Sequence, residues 1–324
     1  MSEILQFNFK LIKMGAFTTL DKTDILNIEE LYQLEIDDFY PITENGLSNS
    51  NFILIIKGQK HILTIVEDGV EDKADLVTEI LLHLNKYKYA TNKVLTDVNQ
   101  KAINTIHGKP YFIKDYIEGE VIMDMNLEQI KEAGKALAKL HLVPNLSILS
   151  TKYQTESPQF QEPIGMGFDV KYEEWLVNQL ERFKPILAQD LPKGIIHGDL
   201  FADNVIFNDD GAVIIDFECS CHYFFVFDIG MAFIGSCLDD YQFNSAKAKA
   251  FLEGYQEVRI LEPLEVENVQ LFTEYAATLM SIWRFWNYNY FRPRPERADW
   301  HRLLVDAGRQ ISEIPTATFL KTLF

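Results

Sequence analysis

The stretch GIIHGDLFADNVIF, residues 194–207, sets His197, Asp199 and Asn204 at the spacing His-x-Asp-x-x-x-x-Asn, and Asp216 closes a second apolar run, AVIID. Carboxylates and amides are costly to bury without partners, so their concentration between apolar runs asks for a use. A short loop bearing Asp199 and Asn204, facing Asp216 across a hairpin, brings three oxygen groups to one side. Oxygen-only ligands suit Mg2+, which keeps several waters and is held by one or two carboxylates plus substrate phosphates. The reaction class this predicts is phosphoryl transfer. Asp199 accepts or orients the proton of an attacking hydroxyl, Asn204 and Asp216 hold the magnesium, and His197 shapes the loop, which makes Asp199 and His197 the catalytic candidates. Asp and Asn are also common turn formers, and a lone Asp at a strand end is often a cap. The spaced set, with an apolar run on each side, favours chemistry.

Such a loop needs short strands to hold it, read at residues 194–196 with 205–207 and at 212–217. Upstream, DKTDILNIEELYQL has helical spacing, and NFILIIKG and HILTIVED are β-branched runs joined by the turn-like KGQK, a hairpin signal. KADLVTEILLHLNKY is again helical and KPYFIKDYIEG returns to strand character, giving a β-β-α-β order. From about residue 126 the period is helical through NLEQIKEAGKALAKLH, KYEEWLVNQLERFKPIL, AKAKAFLEGYQEV, the long LEVENVQLFTEYAATLMSIWRFWNYNYF and ERADWHRLLVDAGRQI. This order predicts an α/β (α+β) protein of two lobes. Residues 1–115 form a small sheet-rich lobe, and 116–324 form a larger, mainly helical lobe that carries the polar cluster.

The 324 residues are composed like an ordinary folded protein, 47% hydrophobic and 24% charged. Thirty basic against forty-eight acidic residues leave a formal charge of −18, which argues against nucleic acid and anionic membranes as partners. No apolar run approaches the ~20 residues of a membrane span, and the N-terminus lacks a signal-peptide pattern, so the expected location is cytoplasmic. Cys219, Cys221 and Cys237 are odd in number and lack C-x-x-C spacing, which reads as buried thiols. Six of the eight arginines lie between Arg284 and Arg309. Arginine's planar fork suits carboxylate or phosphate, although a solvated helix face would look the same.

HGDLFADN together with IIDFE resembles the kinases of the aminoglycoside phosphotransferase and choline kinase superfamily, distant relatives of protein kinases. Within it, FNSAKAKAFLEGYQEVRIL and RFWNYNYFRPRP resemble the bacterial homoserine kinases, and the likeness covers nearly the whole chain. The resemblance implies a protein-kinase-like two-lobed fold and transfer of the γ-phosphoryl group of ATP, with Mg2+, to a small-molecule hydroxyl, that of L-homoserine. The enzyme would be a monomer or homodimer. It assigns Asp199 as base and Asn204 and Asp216 as metal ligands, with Asp228 in VFDIGMAF fixing the catalytic loop. The nucleotide site would draw on Gly46, Ser48, Asn49 and Asn51 of the ENGLSNSN loop, on Thr64 and Glu79, and on Asp115, Tyr116 and Ile117 of the linking strand. Homoserine's carboxylate would meet Arg284, and its ammonium Glu218 or Asp203.

Two positions depart from the kinase pattern. The lysine usual in the strand after the nucleotide loop is Thr64 here, and Lys60, four residues away or about 13 Å along a strand, cannot substitute. Glu218 stands where homoserine kinases tend to have an aromatic residue. With Trp283, Phe285 and Trp286 it could instead hold a quaternary ammonium, which keeps open a choline, aminoglycoside or other small-alcohol kinase. A non-catalytic binding module is the third reading, against which stand the intact Asp199, Asn204 and Asp216.

Overall fold

The computed structural model describes residues 18–42, 49–67 and 71–324. The chain divides into two units, residues 1–86 with 91–117, and residues 87–90 with 118–324.

In the first unit α1 (Lys22–Tyr32) starts at a capping box. The Asp21 carboxylate accepts from the backbone of Thr23 and Asp24, and the Asp24 carboxylate accepts from Asp21 N. β1 (Ile36–Pro41), β2 (Ser50–Ile56) and β3 (Gln59–Ile65) follow, with β2 and β3 joined through Lys57 and Gly58 at φ +51° and +73°. Positive φ at both turn residues matches the twist of the flanking strands, so KGQK forms the hairpin its sequence suggests. After α2 (Glu71–Lys86) come β4 (Val94–Leu95), β5 (Ile103–Ile106) and β6 (Lys109–Asp115). The antiparallel order is β1-β2-β3-β6, and β4 and β5 share the other edge of β6. Alternation along β6 divides the core. Tyr111 and Ile113 join Leu54, Leu63 and α1's Ile25 and Ile28, whereas Phe112 joins Val66 and α2's Ala74.

The second unit begins with β7 (Glu120–Val121), α3 (Leu127–His141), α4 (Pro158–Gln161) and α5 (Val170–Leu187). β8 (Lys193–Ile196), β9 (Val205–Asn208), β10 (Gly211–Ile214) and β11 (Cys221–Phe224) frame the polar cluster. β9 and β10 form a hairpin with β7 on its edge, while β8 pairs with β11. The expected strand over 212–217 stops at Ile214, because Asp216 takes φ +67° and residues 217–219 turn into a 3₁₀ helix. α6 (Phe225–Ser236) is buried on every side from Phe225 to Ile234, as befits an apolar helix at a core's centre. The chain closes with β12 (Leu238–Asp239), β13 (Gln242–Phe243), α7 (Ser245–Gln256), α8 (Pro263–Phe285), α9 (Trp300–Glu313) and α10 (Thr316–Leu323), and residues 286–291 extend α8 as a π turn.

α3 and α7 touch backbone to backbone. A Cβ on Gly134 would lie 2.1 Å from Phe251 O, and one on Gly254 would lie 1.9 Å from Lys131 O. That close approach brings the last residue of α3, His141, to 2.6 Å from Tyr255 Oη on α7.

Candidate active site

The loop from His197 to Asn204 leaves β8 and is held from beneath by α6. Asp228, fully buried on α6, accepts from His197 N at 2.7 Å and from Gly198 N at 2.8 Å. It also meets His141 Nε2 at 3.1 Å. A carboxylate only accepts and burial lowers the His141 pKa, so the neutral ring donates through Nε2 and accepts at Nδ1 from Tyr255 Oη. His197 is fully buried, with Nε2 2.9 Å from Ile215 O and Nδ1 accepting from Asp199 N at 3.3 Å. Both ring nitrogens are therefore engaged with backbone, and His197 shapes the loop from inside. Asn204 donates through Nδ2 to Asp199 O at 2.8 Å, which pins the two ends of the loop together.

These bonds bring Asp199 into the neighbourhood of three further carboxylates. Burial, then Asp216, Asp203 and Glu218, push the Asp199 carboxyl up to about 8, with Asn204 opposing. Asp216 and Glu218 are exposed, as is Asp203, whereas Asp199 and Asn204 are half-buried. Among the described residues no three His, Cys, Asp or Glu side chains gather closely enough to hold a metal by themselves. One amide oxygen and one carboxylate amid concentrated negative charge is a hard-oxygen, low-count donor set, and it fits Mg2+.

On the far side of the loop, Tyr153 Oη donates to Gly198 O at 2.8 Å and lies 3.6 Å from Met280 Sδ on α8. Arg284 is one turn further along the same helical face. It is half-buried, and its Nη1 donates to Tyr241 Oη at 3.3 Å and to Trp300 O at 3.2 Å. No carboxylate pairs with Arg284 among the described residues. The aromatic neighbours are otherwise occupied. Phe285 is fully buried against Phe168, Tyr172 and His301. Trp286 stacks on Phe291 at 4.4 Å and packs on Phe160 at 4.6 Å, and Trp283 meets Tyr288 edge-on. This is packing rather than an open aromatic cage. Cys219, Cys221 and Cys237 are free thiols.

In the first unit, Gly46 and Ser48 lie outside the described residues; Asn49 is half-buried just before β2. Thr64 is buried and donates to Asn51 Oδ1 at 2.8 Å across the β2–β3 register, so the two form one neutral pair. Glu79 is exposed and makes no ion pair among the described residues. Lys60 lies over the Tyr116 ring at 4.8 Å from the centroid. Asp115 turns inward: its carboxylate accepts from Lys93 N at 2.6 Å, and its N–H and carbonyl bond Lys93 O and Asn92 Nδ2. Ile117 is half-buried at the end of the unit.

Three contributors were not visible in the sequence reading. Tyr153 sits in an aperiodic stretch, Tyr241 in a turn without glycine, and Tyr255 in a helical segment whose sequence assigns it no individual role. A loop clamped by a buried aspartate, carrying Asp199 and Asn204 with Asp216 nearby, sits in a fold that is that of the kinase-like phosphotransferases. The profile of the phosphotransferase enzyme family matches residues 41–261, and the chain belongs to that family. The homoserine kinase of Bartonella henselae is 32% identical over 295 residues, covering 87% of this chain and 91% of that protein. That of Agrobacterium fabrum is 28% identical over 293 residues, covering 85% and 88%. Among solved structures, an amicoumacin kinase in complex with AMP-PNP, Ca2+ and Ami superposes with TM-score 0.68 at 15% identity, over 92% of this chain and 95% of that one. A choline/ethanolamine kinase family protein from Mesorhizobium loti gives 0.66 at 16% identity, over 88% and 92%. No helix among the described residues is long and apolar enough to cross a membrane.

Proposed function

We propose that the protein transfers the γ-phosphoryl group of ATP to the side-chain hydroxyl of L-homoserine. The observation that carries the acceptor class is Arg284, a half-buried guanidinium near the catalytic loop whose partners are a phenol and a carbonyl, with no carboxylate of the protein among the described residues. A half-buried cation with no carboxylate partner among the described residues suits an anionic substrate group, and arginine's fork matches a carboxylate. The likeness to homoserine kinases over most of the chain supports the same reading.

In this reading Asp199, ionised once a bound cation offsets the neighbouring carboxylates that raise it, accepts or orients the proton of the homoserine hydroxyl. Asp228 and His197 keep the loop backbone fixed, and Asn204 ties Asp199 in place, so little reorganisation accompanies reaction. Asn204 Oδ1 and Asp216 would hold Mg2+, which when bound neutralises charge on the transferred phosphoryl oxygens. In the first unit, the Thr64–Asn51 pair and the backbone at the start of β2 would receive phosphate without a lysine. Glu218 or Asp203 would face the substrate ammonium. The enzyme would work in the cytoplasm as a monomer or homodimer.

The test is coupled ADP release with homoserine, choline, ethanolamine, methylthioribose and an aminoglycoside on one preparation. Homoserine is expected to give the largest kcat/KM. Robust turnover of choline with none of homoserine would overturn the reading. Arg284→Met should raise KM for homoserine at least ~10-fold, the loss of a charge-assisted hydrogen bond, and leave KM for ATP nearly unchanged.

A further inference from the structure

The β12–β13 hairpin turns on two consecutive residues with positive φ, Asp240 at +48° and Tyr241 at +61°. Two-residue turns of this kind favour Asn-Gly or Asp-Gly, because the left-handed region crowds any Cβ. Asp240 suits its place. Tyr241, large and aromatic, occupies the one where glycine would be free of strain. The conformation is held by the base of the hairpin: Asn244 N donates to Cys237 O at 2.9 Å, and Asp239 accepts from Asn244 Nδ2 at 2.7 Å and from Lys247 Nζ at 2.8 Å. A strained side chain locked in by its surroundings points to a task for that side chain.

Its location supplies the task. α6 runs into the hairpin, and at its end a Cβ on Gly235 would lie 2.4 Å from Leu200 O, so the helix backbone rests on the catalytic loop one residue past Asp199. From there the hairpin reaches Arg284, whose guanidinium carbon lies 5.5 Å from the Tyr241 ring centroid and whose Nη1 donates to Tyr241 Oη. The second Nη1 proton goes to Trp300 O. Both protons on that nitrogen are thus used within the protein, while Nε and Nη2 make no protein hydrogen bond among the described residues. These two nitrogens form the side-on edge of a guanidinium, the edge that takes a carboxylate through two parallel hydrogen bonds.

We infer that Tyr241 is a specificity-determining residue: the strained hairpin tip fixes the plane of Arg284 so that its Nε–Nη2 edge receives the carboxylate of the acceptor. The inference rests on the reading of the acceptor as an α-amino acid, and it adds a residue and a geometry to it. Tyr241 orients the cation and does not itself act on the reacting atoms.

The test compares homoserine with 3-aminopropan-1-ol, the same alcohol without its carboxylate, in the full chain with ATP and magnesium. Tyr241→Gly should lower kcat/KM for homoserine at least ~10-fold, mostly through KM, and that for 3-aminopropan-1-ol less than ~3-fold, so that selectivity for the carboxylate collapses. Tyr241→Phe, which keeps the ring and the strain but removes the phenol oxygen, should lower it by a smaller factor in the same direction. Cooperative thermal unfolding of Tyr241→Gly checks that the variant is folded, since relief of the turn offsets part of the lost ring contact and hydrogen bond. Equal losses for both alcohols would overturn the inference. If the parent protein phosphorylates homoserine and selectivity survives in Tyr241→Gly, the inference fails alone. If the parent does not phosphorylate homoserine, it is the acceptor reading that fails.

Discussion

The loop from His197 to Asn204 and the surroundings of Arg284, in the same unit, are built on opposite plans. Around the loop, buried polar groups close on each other: Asp228 accepts two backbone N–H groups and a histidine, His197 meets two backbone groups, and Asn204 bonds the Asp199 carbonyl. Around Arg284 a charged group has, among the described residues, only neutral hydrogen-bond partners, one of them delivered by a strained turn. In the proposed reading, chemistry is held by satisfied bonds, whereas selectivity would rest on an incomplete set of bonds that a ligand completes. The difference teaches where to expect tolerance. Losses in the first region fall on turnover for any acceptor; losses in the second fall on one acceptor's KM.

The sharpest way to break that contrast is at Asp199. Asp199→Asn keeps the shape and the loop but removes the proton acceptor, so turnover should fall at least ~10²-fold with little change in nucleotide affinity. Steady-state kinetics with nucleotide titration checks this, and near-normal turnover would remove Asp199 from that role.

A second attack goes to what supports the acceptor side. Asp169, at the start of α5, accepts from Arg302 Nε at 2.7 Å and meets His301 Nε2 at 2.9 Å, fastening the first turn of α9 beside the Trp300 carbonyl that receives Arg284. Despite burial, these partners and Tyr172 N lower its pKa from 3.8 to about 2. A carboxyl depressed in the folded state stabilises above its unfolded pKa, and that stability is lost as pH falls through the folded value. Urea unfolding of Asp169→Asn should therefore show about 2 kcal/mol less stability than the parent at neutral pH. The gap should shrink below about pH 4 and close near pH 2. A gap independent of pH would show that the carboxylate's charge is not what fastens α9.

The smallest effect is expected in the first unit, where Thr64 and Asn51 form a neutral pair in place of the kinase lysine. Thr64→Ala should cost less than ~10-fold in turnover, about 1.4 kcal/mol, because the hydroxyl carries no charge to the phosphates. A loss as large as that of Asp199→Asn would give this pair an essential part and would extend the closed plan of the catalytic loop to the nucleotide side.

How much of this the sequence disclosed follows from which forces write themselves locally. The β2–β3 hairpin was readable because turn chemistry and alternation agree, and α8 because its period is sustained. The Asp199–Asn204–Asp216 set was readable because loop spacing is a local property. α6 was missed: a helix buried on every side has no polar face, so FVFDIGMAFI carries no period. β8 was expected beside β9 and pairs instead with β11, a choice made by tertiary contact across the 3₁₀ turn. Tyr241 was hidden for a related reason. A turn held by Asn244 and Lys247 can violate local preference, and sequence rules register only the preference.

The contact between α3 and α7 bears on how this protein can change over generations. Because Gly134 and Gly254 meet the facing backbone rather than a side chain, no neighbour can rotate away to admit even one methyl group. Most core positions accept a graded series of sizes, each at a graded loss; these two accept a single residue or force two helices apart. The distance between His141 and Tyr255, and through them the support beneath Asp228, is set by that contact. The two positions act as a fixed gauge: variation can drift freely on the faces of α3 and α7 turned to solvent, while the spacing of the two helices whose His141 and Tyr255 support Asp228 admits no intermediate values.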